Sequence, residues 1–115
     1  MKNKSNLLLT ALLVIAAFAS ATVKTPKQVK ILVFFETKGF YHSSIPVAVA
    51  ALQKLGQSNN MLVDTTSESA TFLQPDLDKY NAIVFMSTTG DVFNDDEQAA
   101  FKKYINNGGG FVGIH

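Results

Sequence analysis

Apolar residues fall along the chain in short continuous runs separated by polar stretches, and the runs set up a strand-then-helix rhythm. Lys30 to Glu36 (KILVFFE) is a strand-length run rich in β-branched and aromatic residues, the pattern of a strand covered on both faces. Ser43 and Ser44 then offer a helix N-cap with Pro46 in the first turn. Ile45, Ala48, Val49, Leu52 and Leu55 recur at helical spacing until Gly56 and Asn59-Asn60 stop the pattern. Met61 to Thr65 predicts a shorter second strand, followed by a Ser/Thr/Glu loop and a turn of helix around Pro75 to Lys79. Ala82 to Met86 is a third, fully apolar strand. Asn94 caps a second helix, Glu97 stands where a capping-box partner reaches back, and Phe101, Tyr104 and Ile105 form the apolar stripe. Gly108-Gly109-Gly110 ends that helix, and Phe111 to Ile114 begins a fourth strand.

Strands separated by helices of this length require parallel βαβ crossovers. The predicted fold is therefore α/β, a flavodoxin-like doubly wound parallel sheet in the order 2-1-3-4. Ligands of such sheets bind beyond the carboxyl ends of the strands. The loops to inspect are Thr37 to Ser44, Ser67 to Phe72, Ser87 to Phe93, and whatever follows His115.

The front of the chain changes the domain boundaries. Lys2 and Lys4 precede an apolar run from Leu7 to Ala19, and Ala19-Ser20-Ala21 supplies the small residues a signal peptidase accepts. Residues 1–21 read as a cleaved signal peptide with the cut after Ala21, which predicts a periplasmic or secreted protein. The run is shorter than the roughly twenty residues of a membrane-spanning helix, so no stable membrane anchor is expected after cleavage. Residues 22–29, polar and holding Pro26, read as a linker, and residues 30–115 as the folded domain.

The chain has 115 residues, 47% of them apolar, which suits a single packed domain. Its ten cations are all Lys against nine acids, and loss of the leader with Lys2 and Lys4 turns a formal charge of +1 into −1. No concentrated basic face is available for nucleic acid. The absence of cysteine removes disulfides, thiolate metal sites and a thiol nucleophile within these residues.

Both histidines, His42 and His115, fall in the strand-tip loops. In a 2-1-3-4 sheet, the strands that carry them flank the third, so the imidazoles are predicted to approach across the Thr88-Thr89-Gly90-Asp91 loop. Histidine transfers protons near neutral pH and ligates metals, and Asp91 could orient one ring or join it as a ligand. A surface-loop His42 and a merely terminal His115 is the bland alternative. A divalent metal stays open but is not favoured, because no ligand pair has the i, i+4 spacing of a helical metal motif. Thr88, Thr89 and Gly90 suit contacts to sugar hydroxyls, although such residues populate any turn. Phe40 and Tyr41 could stack on a sugar ring. Ser43 and Ser44 read as caps rather than nucleophiles. The triple glycine follows a helix and precedes a strand, the reverse of a phosphate loop, so it reads as a helix C-cap.

The segments KILVFFETKGFYHSSIP, YNAIVFMSTTGDVFNDDEQAAFKKYI and NGGGFVGIH resemble the trehalose-utilisation (ThuA-like) family, of the class I glutamine amidotransferase-like group. The resemblance spans nearly all of residues 29–115 and implies a role in bacterial use of trehalose or related disaccharides, including 3-keto sugars. It places His42, Thr89, Asp91 and His115 in the family's cleft. Gly113-Ile114-His115 corresponds to the amidotransferase stretch in which a nucleophilic Cys follows Gly-Ile. With His at that position, thiolate glutaminase chemistry is not expected. Members of the family continue well past this point, so the sequence reads as the N-terminal part of a sheet incomplete at its C-terminus. The implied partner is a small-molecule carbohydrate, met either by acid/base or metal-assisted chemistry or by a non-catalytic binding module. A third alternative is a fragment with no activity of its own.

Overall fold

The computed structural model describes residues 26–115; the segment read as a leader and the first part of the linker lie outside them. Four strands, β1 (Val29–Phe34), β2 (Met61–Thr66), β3 (Ala82–Met86) and β4 (Gly110–Ile114), form one parallel sheet in the order β2-β1-β3-β4. Helix α1 (Ile45–Ser58) connects β1 to β2, and α2 (Asp95–Asn106) connects β3 to β4. Between β2 and β3 the chain makes two short 3₁₀ turns, Ser69–Leu73 and Leu77–Lys79. The first lies where the sequence predicts a loop; its Phe72 is buried, so an apolar anchor in a polar stretch folds the segment onto the sheet. No described helix is long and apolar enough to cross a membrane.

Alternation along the strands divides the core in two. Leu32 and Phe34 of β1 and Ile83 of β3 join Phe72, Leu77, Tyr80, Val92 and Tyr104 on the face covered by α2. Val33 of β1 and Val84 and Met86 of β3 meet Ala48, Val49 and Leu52 of α1 on the other. The first face is aromatic: the Phe34 ring stands edge-on to Phe72 at 5.0 Å and to Phe85 at 5.1 Å, and Phe101 packs 5.7 Å from both Phe72 and Phe111. The second face is largely aliphatic, with Phe35 as its aromatic member.

Local chemistry explains the element boundaries. Asn94 Oδ1 accepts the Glu97 N–H while Glu97 Oε2 accepts the Asn94 N–H, both at 2.9 Å, completing the capping box. Gly108 takes φ +94° after the end of α2, as a left-handed helix terminus requires. Gly109 then passes so close to the Tyr104 ring that a Cβ would overlap it. Buried Tyr104 donates its hydroxyl to the carbonyl oxygens of Tyr80, at 3.0 Å, and Gly110, at 3.3 Å, tying α2 to the starts of β3 and β4. Burial pushes the hydroxyls of Tyr104 and Tyr80 above the ordinary tyrosine range, and for Tyr80 the neighbouring Asp64 carboxylate adds to the rise.

Several expectations are corrected. Strand β1 ends at Phe34, leaving Phe35 and Glu36 beyond it. Ser44 occupies the N-cap of α1 but its hydroxyl makes no capping bond, because its backbone is already in the helical region. Gly56 does not stop α1; it lies inside the helix at the contact with β2, where a side chain would meet Val63. The buried stripe thus runs through Ile45, Val49, Leu52 and Gly56. Leu55, one position off that line, is 54% exposed. Ile105 likewise turns partly to solvent, while Tyr104 carries the burial on α2.

Candidate functional site

The carboxyl ends of all four strands point the same way, and the loops that leave them meet there. Beyond β1, Thr37 forms an isolated parallel bridge with Thr89 of the loop after β3. The N–H groups of Lys38 and Gly39 both donate to the Thr89 carbonyl, at 2.8 and 3.2 Å, and the Thr89 hydroxyl donates to the Phe40 carbonyl at 2.6 Å. Gly90 adopts φ +77°, and a Cβ there would sit 2.9 Å from the Gly39 nitrogen. Two backbones can approach this closely only because the residue is glycine.

That junction carries His42 into position. Its carbonyl accepts the Ile45 N–H at 3.1 Å as the chain turns into α1, and its ring stands edge-to-face with Phe40 at 4.9 Å. On the other side of β3, the Ser87 N–H donates to the Ile114 carbonyl at 2.7 Å, extending the β3–β4 pairing by one step to the position before His115. The His42 and His115 rings come together with centroids 5.9 Å apart, at an interplanar angle of 74°. Phe40 and Tyr41, 71% and 54% exposed, lie next to the pair.

Asp91 does not join it. Its side chain is exposed, and among the described residues no hydrogen bond or ion pair links it to either imidazole. Asp91 directly follows Gly90, whose left-handed turn approaches Gly39 of the His42 arm. Among the described residues no group of three or more His, Cys, Asp or Glu side chains is placed to hold one metal ion. Thr88 is half-buried in the same loop, while Thr89 and Gly90 spend their contacts on the neighbouring loop.

Two charged residues absent from the sequence reading brace the loops. Glu36 accepts the Ser69 N–H at 2.7 Å and pairs with Lys38 at 3.5 Å, and Lys38 Nζ donates to the Val92 carbonyl at 3.0 Å. One acid and one base thus connect the chain beyond β1, β2 and β3. The signal was available in principle: Glu36 and Lys38 are spaced i, i+2 at the end of an apolar strand, which places both side chains on one side of an extended backbone. Ser87 was also passed over. It is 7% exposed and takes φ +49°, a left-handed conformation uncommon outside glycine, at the tip of β3.

A surface hollow of about 570 Å³ lies away from these loops, along α2 between Phe93, Phe101 and Ile105. It holds none of the histidines, and the strand-tip loops remain the place where chemistry-bearing side chains converge.

The family model described as trehalose utilisation (ThuA) matches residues 30–115. A solved structure of a ThuA-like protein from Bacteroides uniformis superposes with a TM-score of 0.59 at 25% identity, covering 82% of this chain. The chain spans 39% of the length of that structure. No curated protein is significantly similar to the chain. A match over the whole folded region, on the sheet order and crossovers described above, establishes that this chain belongs to the ThuA trehalose-utilisation family.

Proposed function

We propose that the protein is exported and acts on a carbohydrate, trehalose or a related disaccharide including 3-keto forms, by proton transfer through His42 and His115. The observation that carries this reading is the approach of the two imidazoles to 5.9 Å at the strand tips beside the exposed rings of Phe40 and Tyr41. A pair of imidazoles can supply one base and one acid near neutral pH. Aromatic faces stack on the apolar faces of sugar rings, and Thr88 offers a hydroxyl at the same edge. Thr89 and Gly90 shape the same site by holding its loops.

The test is product formation from candidate disaccharides and their 3-keto derivatives, followed by NMR. His42→Ala and His115→Ala should each lower turnover by about 10²-fold or more, the ordinary scale of a lost general acid or base. Unchanged rates in both variants would refute the assignment. Added chelator separates the acid/base route, which it leaves untouched, from a divalent ion held by the imidazoles. A second reading, a sugar-binding module without turnover, is favoured by the absence, among the described residues, of a hydrogen bond from either imidazole to Asp91; saturable sugar binding with no product would establish it. Mass spectrometry of the exported protein should find its N-terminus at Thr22.

A further inference from the structure

The three residues Ser87, Thr88 and Thr89 stand between the segments that carry the two histidines, and both outer members bond across to them. Thr89 bonds towards His42 through three contacts: its carbonyl accepts the Lys38 and Gly39 N–H groups, and its hydroxyl donates to the Phe40 carbonyl at 2.6 Å. Ser87 bonds towards His115 through its N–H to the Ile114 carbonyl. Its left-handed backbone, φ +49°, turns the chain sharply between the two sets of bonds.

We propose that Thr89 is a positioning residue for the histidine pair, with Ser87 holding the opposite side, so that segment 87–89 sets the distance between the imidazoles. This rests on the acid/base reading for what the pair does, and on the hydrogen bonds of Thr89 and Ser87 for how it is placed. The hydroxyl at position 89 has one proton, and that proton is directed to the Phe40 carbonyl. Toward a sugar it could only accept. Its role is therefore to fix the arm that ends in His42, two residues beyond Phe40, and the backbone bonds from Lys38 and Gly39 stop that arm from pivoting about the hydroxyl contact. On the other side, the Ser87 bond lies one residue short of His115. A shift of segment 87–89 relative to either neighbour would change the separation of the rings directly.

The experiment uses the full chain and three NMR readouts that need no substrate. In the wild type, the ring protons of His42 and His115 should show a cross-relaxation peak, and the Lys38, Gly39 and Ser87 amides should exchange more slowly than those of Tyr41 and Asp91. Thr89→Val keeps the shape of the side chain and removes the hydroxyl. It should abolish the ring-to-ring peak and lower the heteronuclear relaxation ratio of Phe40, Tyr41 and His42, whereas Thr89→Ser should preserve both. An intact peak in Thr89→Val would overturn the positioning role while leaving the histidine pair standing. A wild-type protein lacking the peak would instead remove the pair on which the functional reading depends. Should Thr89→Val not fold, the wild-type exchange pattern decides alone: unprotected Lys38 and Gly39 amides would refute the proposal.

Discussion

Replacing Gly56 by alanine sets two effects of known size against each other. Inside α1, alanine is favoured over glycine by about 1 kcal/mol, because glycine loses more backbone freedom on folding. Against that, the new methyl would stand 2.3 Å from Cγ2 of Val63 and 3.1 Å from the carbonyl oxygen of Met61. Val63 is β-branched and held in a strand, so its rotamers are few, and the carbonyl belongs to the β2 backbone and cannot swing aside. Overpacking of this kind costs about 1–3 kcal/mol. The clash wins, and Gly56→Ala should destabilise the protein by about 1 kcal/mol. For a folded region of this size that lowers the melting temperature by about 4–8 °C. The decisive assay is a double-mutant cycle followed by circular dichroism in urea. Val63→Ala alone should cost about 1.5 kcal/mol for the two methyl groups withdrawn from the α1 contact. The same change in the Gly56→Ala background removes the clash and should cost far less, a coupling of about 1 kcal/mol or more. Gly56→Ala as stable as the wild type, or additive costs in the double variant, would show that α1 does not meet β2 through this glycine.

Other consequences can be checked with the same methods. Asn94→Ala removes the side-chain acceptor for the Glu97 N–H but keeps the backbone N–H that Glu97 accepts from residue 94, so it should cost about 1 kcal/mol in chemical denaturation. Gly90→Ala meets both the left-handed backbone and the Gly39 nitrogen at 2.9 Å, and the Lys38 and Gly39 amides should lose hydrogen-exchange protection; retained protection would contradict the close approach. The raised tyrosine hydroxyls predict alkaline sensitivity. Their stabilising contribution is whole below the unfolded-state value near pH 10 and is lost as pH climbs through the higher native values, because the unfolded chain releases those protons first. Urea titrations between about pH 9 and 11 should show stability falling, and Tyr104→Phe, although less stable at neutral pH for want of its bonds to Tyr80 and Gly110, should flatten the slope.

The sheet was legible because its strands are apolar runs of the right length with helical periods between them, and the right-handed crossover rule leaves few orders for four such strands. Asn94 and Glu97 gave the start of α2 for the same reason: their pairing is local, and three residues of sequence contain it. What sequence could not give were contacts set by tertiary approach. Gly56 looked like a helix stop because only the position of Val63 makes it a packing site. Leu55 looked buried because a period of 3.6 tolerates a neighbour at the edge of the stripe. At the site, the topology brought His42 and His115 together across β3 and so could be foreseen. The close approach of the two loops depends on the left-handed turn at Gly90, and the brace of Glu36 and Lys38 depends on the 3₁₀ turn at Ser69. Neither is written in spacing alone.

The unequal faces of the sheet have a consequence for how the chain finds its fold. Slipping β1 by one residue against β2 and β3 would send Phe34 toward α1 and Val33 toward α2. Slipped one way, Val33 replaces Phe34 and the aromatic cluster around Phe72 and Phe85 loses its central ring; slipped the other way, Phe35 replaces Phe34 and is withdrawn from Val33, Val84 and Met86 on the α1 face. A misregistered sheet thus packs poorly when the helices dock on it. Parallel pairing is slow to form, because each pair of strands must be brought together across a long loop. A sheet with one aromatic and one largely aliphatic side proofreads that search, rejecting shifted pairings by volume rather than by hydrogen bonds, which a shifted ladder would satisfy almost as well.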